Sequence, residues 1–393
     1  MVDYDPFSAE IIHGDPHKVY RQLRDESPVH FMPRWNTWVL SRFQDIWDAC
    51  TDNESYSAAQ GTTTSHLLTK VQPVTPTLNN MDPPEHTRLR AEMRKFFSPR
   101  RVAELEPVFR TFALEAIAGF EERGECEAVG ELAQVVATSV GCEVAGFPRE
   151  DADYLRTLVE GFFERDPEKE GMTEAGLAKL DEMFGYFAGL SAKRRGKPYV
   201  HDPIGILQQM EFGGRLLDDA EIASHLFLLL VGGTDTFPKV FSNLLLRLAR
   251  NPDARRRVAA DPSLALEAFN EAVRIDMPTQ VMARLVRRDH EIHGHRIREG
   301  QPILFLYASG NRDEREFPDP ERYDIDRRPP RSLSFSHGTH ACIGLHVARA
   351  EGRILLNELL ARWPEYEVDE SGLERYATEF VQGYSRMPVR WRR

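Results

Sequence analysis

The sequence predicts a mainly α fold with small β-sheets, and three observations carry that reading. Helical periodicity dominates most of the 393 residues. An apolar helical stretch over 218–250 is long enough to cross a whole molecule, about 50 Å at 1.5 Å per residue. From 286 to 306, and again at the C-terminus, the pattern switches to short alternating strands separated by turns.

Taken in order, Asp15-Pro16 opens a short helix through Val19, Leu23 and Arg24, with an acid at the N-cap and proline at the first helical position. Two β-like stretches follow, around 29–32 and 37–40. Residues 52–80 read as a long irregular segment rich in Ser, Thr and Pro, the kind of loop that usually forms a lid or binding wall. Helices are expected over 84–97, 101–122, 130–146 and 150–195. The 218–250 helix starts at Asp218 with Glu221 three residues on, a capping-box spacing. Its middle, HLFLLLVGG, is apolar on all sides and belongs at the centre of the fold. A helix over 343–362 and a strand-like tail over 380–391 complete the chain. No repeat or linker divides it, so 1–393 reads as one domain.

Hydrophobic residues make up 41% and charged residues 28%, which is globular composition. Fifty basic against sixty-two acidic side chains give a net charge of −12, which argues against binding nucleic acid through its phosphates. No run approaches the roughly 18 apolar residues of a membrane span. The N-terminus, with neither a basic nor an apolar stretch, shows no secretion signal. A cytoplasmic protein without a membrane anchor is expected. The four cysteines form no CxxC pair and no disulfide framework; Cys126 and Cys142 read as small buried apolar residues.

Cys342 is different. It lies in Phe335-Ser336-His337-Gly338-Thr339-His340-Ala341-Cys342-Ile343-Gly344, between a proline-rich irregular stretch and an apolar helix. A cysteine at a helix N-terminus meets free N–H groups and the positive end of the dipole, which favour thiolate over thiol. Gly338 and Gly344 let the backbone approach a flat partner. Such a thiolate suits the axial position of a haem iron, while a structural cysteine remains the alternative.

Gly232-Gly233-Thr234-Asp235-Thr236-Phe237-Pro238 interrupts the long helix. Two glycines inside a buried helix cost about 1 kcal/mol each relative to alanine, and they open space where a ligand reaches the backbone. Thr236 can bond back to the carbonyl of Gly232, and Pro238 lacks the N–H owed to Thr234, so a kink is expected here. A kinked turn with a buried acid and hydroxyl is a plausible proton relay; a packing defect with a capped polar pair is the bland alternative. Glu271 and Arg274 share a helix face, a pattern most often found on solvated surfaces. His290, His293 and His295 have only a faint look of a metal site, since Gly294 marks a tight turn between strands. No nucleotide-binding glycine loop and no GxSxG elbow is present.

The order of FSHGTHACIG at 335–344, GGTDT at 232–236, EAVR at 271–274 and DPPEHTRLR at 82–90 resembles the cytochromes P-450, the haem-thiolate monooxygenases, over essentially the full length. FPDPERYDIDR at 317–327 and ARAE at 348–351 add to it. LLLVGGTDT is similar to the corresponding stretch of camphor-type monooxygenases, and the form without an anchor resembles the bacterial branch. The resemblance implies the P-450 fold, with the long central helix over a haem b. It implies Cys342 as the proximal thiolate ligand and Asp235 with Thr236 as the distal acid–alcohol pair that delivers protons to dioxygen. His86, Arg90, Arg284 and His340 would pair with the haem propionates, and Gly232, Phe335 and Gly344 would border the cofactor. Glu271, Arg274 and Arg322 would form a buried structural triad. The substrate would lie against Leu67, Leu68, Val71, Leu229, Gly233, Val281, Met282 and Val381, an apolar lining that favours a terpenoid-, steroid- or aromatic-like molecule.

The implied activity is hydroxylation with dioxygen and two electrons from an external partner, a ferredoxin with its ferredoxin reductase. Arg94, Arg100, Arg101, Arg331 and Arg353 are expected to form a positive docking patch. A peroxide-driven enzyme of the same family and a non-catalytic haem sensor are the competing functions. Two departures from the family pattern stand out: Ser336 replaces a glycine, and Phe237-Pro238 follows Thr236 where a second threonine or a small residue is common.

Overall fold

The computed structural model describes residues 2–70, 75–164 and 173–392. Most of them are helical, with small sheets, as the periodicity predicts. A five-stranded sheet orders Val29–Met32, Thr37–Leu40, Pro302–Phe305, Met282–Val286 and Tyr56–Ser57, so strands far apart in the chain pair side by side. Pro302–Phe305 runs parallel to Thr37–Leu40 and antiparallel to Met282–Val286. The apolar residues of these strands, with Leu23 and Phe317, form one core. A second core joins the helices Pro99–Ala118, Gln134–Ala145, Thr236–Arg250, Ala265–Ile275 and Leu345–Arg362.

The helix expected over 150–195 is two helices, Ala152–Phe162 and Glu174–Arg194. The helix over 84–97 is shorter, Glu85–Met93. Asp218 caps the central helix as its spacing predicts: its carboxylate accepts from the Glu221 N–H at 2.9 Å, and Glu221 accepts from the Asp218 N–H at 2.9 Å. That helix is not continuous. It runs over Asp219–Thr234 and resumes over Thr236–Arg250, broken at Asp235. Pro238 is the reason, because it has no N–H for the Thr234 carbonyl. The amide of Gln134 supplies the missing donor, 3.0 Å from that oxygen.

The stretch Ala128–Ala145 is long and apolar enough to cross a membrane by length and composition, but 67% of it is buried within the protein, so it reads as a core segment. Cys126 and Cys142 are buried as expected. The histidine stretch forms a hairpin in which His293 bonds Asp45 at 2.8 Å and His290 bonds Tyr56 at 2.8 Å. Among the described residues no cluster of His, Cys, Asp and Glu could hold a metal.

The triad forms with a different third member. Arg274 donates to both oxygens of Glu271 at 2.8 Å and to the carbonyls of Asn311 and Pro320. Arg327, not Arg322, completes it, with Nε 3.0 Å from Glu271 Oε1. Arg322 is 65% exposed and pairs with Asp324. The four residues between Arg322 and Arg327 turn back on themselves, so the later arginine reaches inward. Arg327 also donates to the Arg322 carbonyl, which fixes that turn.

Candidate haem site

The cysteine loop is closed by its own backbone: the Cys342 N–H donates to the Phe335 carbonyl at 2.8 Å. Gly338 adopts φ +70°, and a Cβ there would lie 2.3 Å from the Cys50 carbonyl oxygen, so only glycine fits. Ser336, where the family has glycine, also takes positive φ, +59°. Its hydroxyl bonds Tyr307 Oη at 2.8 Å, and the same phenol oxygen lies 3.5 Å from Cys50 Sγ. The unusual serine is therefore held in a glycine-like conformation by a buried tyrosine, and the loop keeps its shape.

Cys342 is accessible, yet desolvation is the main influence on its thiol and pushes its pKa up. Both hold together if the sulfur borders an enclosed gap rather than bulk water. Opposing the desolvation are the N–H of Gly344, the charge of Arg90 and the N–H of Leu345, all of which favour thiolate. On the central helix, Gly232 and Gly233 are likewise accessible, and a Cβ on either would meet nothing within 4 Å. Their neighbours Leu230 and Thr234 are buried. The stretch expected to be apolar and buried on all sides is therefore open on one face, where Phe227, Leu228, Leu229 and Val231 are also partly accessible beside the glycines.

His86, Arg90, Arg284 and His340 come together as expected. The His86 and His340 rings lie 4.3 Å apart between centroids. Arg90 donates to the Ala341 carbonyl and Arg284 to the Ala283 carbonyl, and neither has an acidic partner among the described residues. Both ring nitrogens of His86 are buried without any hydrogen-bond partner. Burial, then the charge of Arg90, lowers His86 to about 4; burial, then Arg284, His86 and Arg90, lowers His340 to about 2. Two guanidiniums without acidic partners beside a buried histidine with orphaned nitrogens are unfavourable alone and suit anionic groups placed among them. With the accessible sulfur and the open glycine strip, these residues fit a flat cofactor carrying two carboxylates.

Asp235 is buried, and Thr236 Oγ1 lies 3.4 Å from the Gly232 carbonyl, the back-bond its spacing predicts. Sequence reasoning missed the partner of the acid. Lys239 Nζ pairs with Asp235 Oδ1 and donates to the Asp235 carbonyl at 2.9 Å; both side chains are 8% exposed. The i,i+4 acid–lysine spacing inside an apolar helix was the available signal. Gln134 was missed as well, since nothing local marks a residue 100 positions away as the donor for a proline-orphaned carbonyl.

Of the substrate-lining residues, Leu67, Leu68, Val281 and Val381 are buried, and Leu229 and Met282 are partly accessible. Val71 falls outside the described residues. Val381 bridges to Thr279, which places the C-terminal hairpin of Glu374–Ala377 and Gln382–Arg386 beside Val281 and the start of the Met282–Val286 strand. The expected positive patch is largely neutralised: Arg100 and Arg101 pair with Glu104, Arg331 with Glu316 and Arg353 with Glu106, and Arg94 is exposed.

Comparison with known proteins agrees with this geometry. The family model "Cytochrome P450" matches residues 263–371. The chain is 34% identical to cytochrome P450 130 of Mycobacterium tuberculosis, over 96% of this chain and 95% of the relative. It is 32% identical to the vitamin D(3) 25-hydroxylase of Pseudonocardia autotrophica, over 95% and 93%. The crystal structure of CYP109E1 from Bacillus megaterium in complex with corticosterone superposes with a TM-score of 0.82 at 25% identity, covering 96% of this chain and 98% of that one.

Proposed function

The chain belongs to the cytochrome P450 family and is a haem monooxygenase, and from this we propose that it hydroxylates an apolar terpenoid-, steroid- or aromatic-like molecule with electrons from a ferredoxin and its reductase. The net reaction consumes the substrate, dioxygen, two electrons and two protons and yields the alcohol and water. Haem b, when bound, supplies the oxygen-activating chemistry. The proposal makes 1–393 a single haem-binding domain, and the pairing in one sheet of strands from 29–57 with strands from 282–305 supports that. Bacterial relatives support a cytoplasmic location.

Each residue then has a task. Cys342 is the sulfur ligand, with the Gly344 and Leu345 N–H groups and the Arg90 charge favouring its thiolate. His86, Arg90, Arg284 and His340 hold the two carboxylates. Gly232 and Gly233, where an added Cβ meets nothing within 4 Å, would leave room for the bound group, and Phe335 and Gly344 would flank it. Asp235 and Thr236 hold the protons that the reaction consumes. Substrate bound against Leu229, Val281, Met282 and Val381 excludes water from the site. A relative named for hydroxylating vitamin D(3) and a neighbour holding corticosterone support the steroid-like end of the range.

The observation that carries the reading is an accessible cysteine, Cys342, with a desolvated thiol, on a loop whose His340 ring meets the unpartnered ring nitrogens of buried His86. The absorption spectrum of the dithionite-reduced, carbon monoxide-bound protein tests it. A strongly red-shifted Soret band is expected, and its loss in Cys342→His confirms the ligand. A spectrum typical of histidine ligation in the unaltered protein overturns it. Spin-state titration with steroids and terpenoids then ranks substrates, and oxygen-dependent product with ferredoxin excludes the peroxide-driven and sensor readings.

A further inference from the structure

Lys239 is the least expected side chain near the site. Its neighbours Phe237, Pro238, Val240 and Phe241 are all buried, and so is Lys239 itself. An ammonium taken out of water is costly unless partners satisfy it. Among the described residues its donors go to Asp235 alone, to the carboxylate and to the backbone carbonyl of the same residue. The ammonium also lies 4.4 Å from the centroid of the Tyr376 ring and 5.7 Å from that of Phe163, contacts that favour a cation. Its stem is fixed by the C-terminal hairpin: a Cβ on Gly383 would come 2.6 Å from Lys239 Cβ.

This arrangement ties one acid to the helix kink at two points. The kink frees the Asp235 side chain from a regular helix, and Lys239 decides where that side chain goes. The carboxylate is drawn along the helix toward residue 239, while the Thr236 hydroxyl is occupied with the Gly232 carbonyl. We propose that Lys239 is a positioning residue of the proton relay, holding the Asp235 side chain aimed so that protons reach dioxygen in step with electrons. The inference rests on Asp235 serving as the relay acid. Without Lys239 the carboxylate is buried and unpaired and loses its fixed aim.

The experiment compares Lys239→Met, Lys239→Arg, Asp235→Asn and the double variant Asp235→Asn/Lys239→Met in the haem-loaded protein with ferredoxin and reductase. The readout is product and peroxide formed per electron pair, together with substrate dissociation constants. Lys239→Met is expected to lower the product yield several-fold and raise peroxide, with substrate binding unchanged, and Lys239→Arg to restore most of the yield. The double variant is expected to be no worse than Asp235→Asn alone. A yield in Lys239→Met equal to or above that of the unaltered protein overturns the role of Lys239. An unaltered yield in Asp235→Asn instead overturns the relay reading beneath it.

A second measurement does not depend on activity. Urea unfolding of the same set without haem gives the pairwise coupling, since each single variant strands one buried charge and the double variant strands none. Strongly non-additive shifts are expected, with the double variant closer to the unaltered protein than the sum of the singles. Additive shifts mean that the ion pair does not form in solution and overturn the proposal.

Discussion

The molecule buries two sets of opposite charges, and they are built differently. Around Glu271, three guanidinium donors from Arg274 and Arg327 reach Glu271 Oε1 and Oε2, and the remaining donors of both arginines end on backbone carbonyls. Around Asp235, a flexible ammonium meets one carboxylate oxygen and one carbonyl, and two ring faces complete its surroundings. The first set is saturated and rigid, so it fixes the meander of 311–327 against the Ala265–Ile275 helix. The second lies at a helix break beside accessible glycines, and a single ammonium sets the direction of one carboxylate. A network tied to several distant carbonyls holds a fold; a lone pair at a helix break orients one side chain.

The largest test of that contrast is Arg327→Ala. Removing one member of a saturated buried network leaves charge uncompensated, and a loss of about 3–5 kcal/mol in urea unfolding is expected. Arg322→Ala, at an exposed pair, should cost within about 0.5 kcal/mol. Equal losses from the two would return Arg322 to the triad.

Next in size is Gln134→Leu, which strands the Thr234 carbonyl at the kink and should cost about 1–3 kcal/mol. Pro238→Ala restores the helical donor, so Gln134→Leu should cost much less in that background. An undiminished cost would mean that Gln134 does not serve the proline gap.

The rim of His86, Arg90, Arg284 and His340 supplies a third case, in which neither guanidinium has an acidic partner among the described residues. His86 is held near 4 in the fold against an ordinary value near 6.5. As the pH falls through that window, the unfolded chain takes up a proton that the fold refuses, so stability is lost from about pH 6.5 to 4 and levels off below. His225, buried and also lowered to about 4, adds to the same trend. The unfolding midpoint of the haem-free protein should therefore fall across this range, and less steeply in His86→Asn. Haem binding should flatten it too, because carboxylates among the donors favour their charged forms. A slope unchanged by His86→Asn removes His86 from the account.

The smallest effect expected is from Ser336→Gly, which relieves a positive φ but gives up the bond to Tyr307. The two contributions oppose each other at about 1 kcal/mol each, so a net change within about 1 kcal/mol should be seen by thermal unfolding.

Much of this protein was written locally. Period and capping set the helices, and Asp218 with Glu221 marked the start of the central one because a capping box needs only residues three apart. The cysteine loop, the paired glycines and the kink at Pro238 follow from backbone chemistry that glycine and proline carry wherever they stand. Ser336 at a glycine position was visible as a departure, but its holder, Tyr307, lies 29 residues earlier and was not. What tertiary structure alone decided is which distant groups answer local demands: Arg327 rather than Arg322 at Glu271, Gln134 at the Thr234 carbonyl, and carboxylates taking Arg100, Arg101, Arg331 and Arg353 out of the expected positive patch. Lys239 falls between the two. Its spacing from Asp235 was legible, but its burial was not, because whether a lysine on a helix meets water or a hairpin depends on what packs against that face. A backbone propensity acts within a few residues, while the cost of burying a charge is set by whatever the fold brings to it.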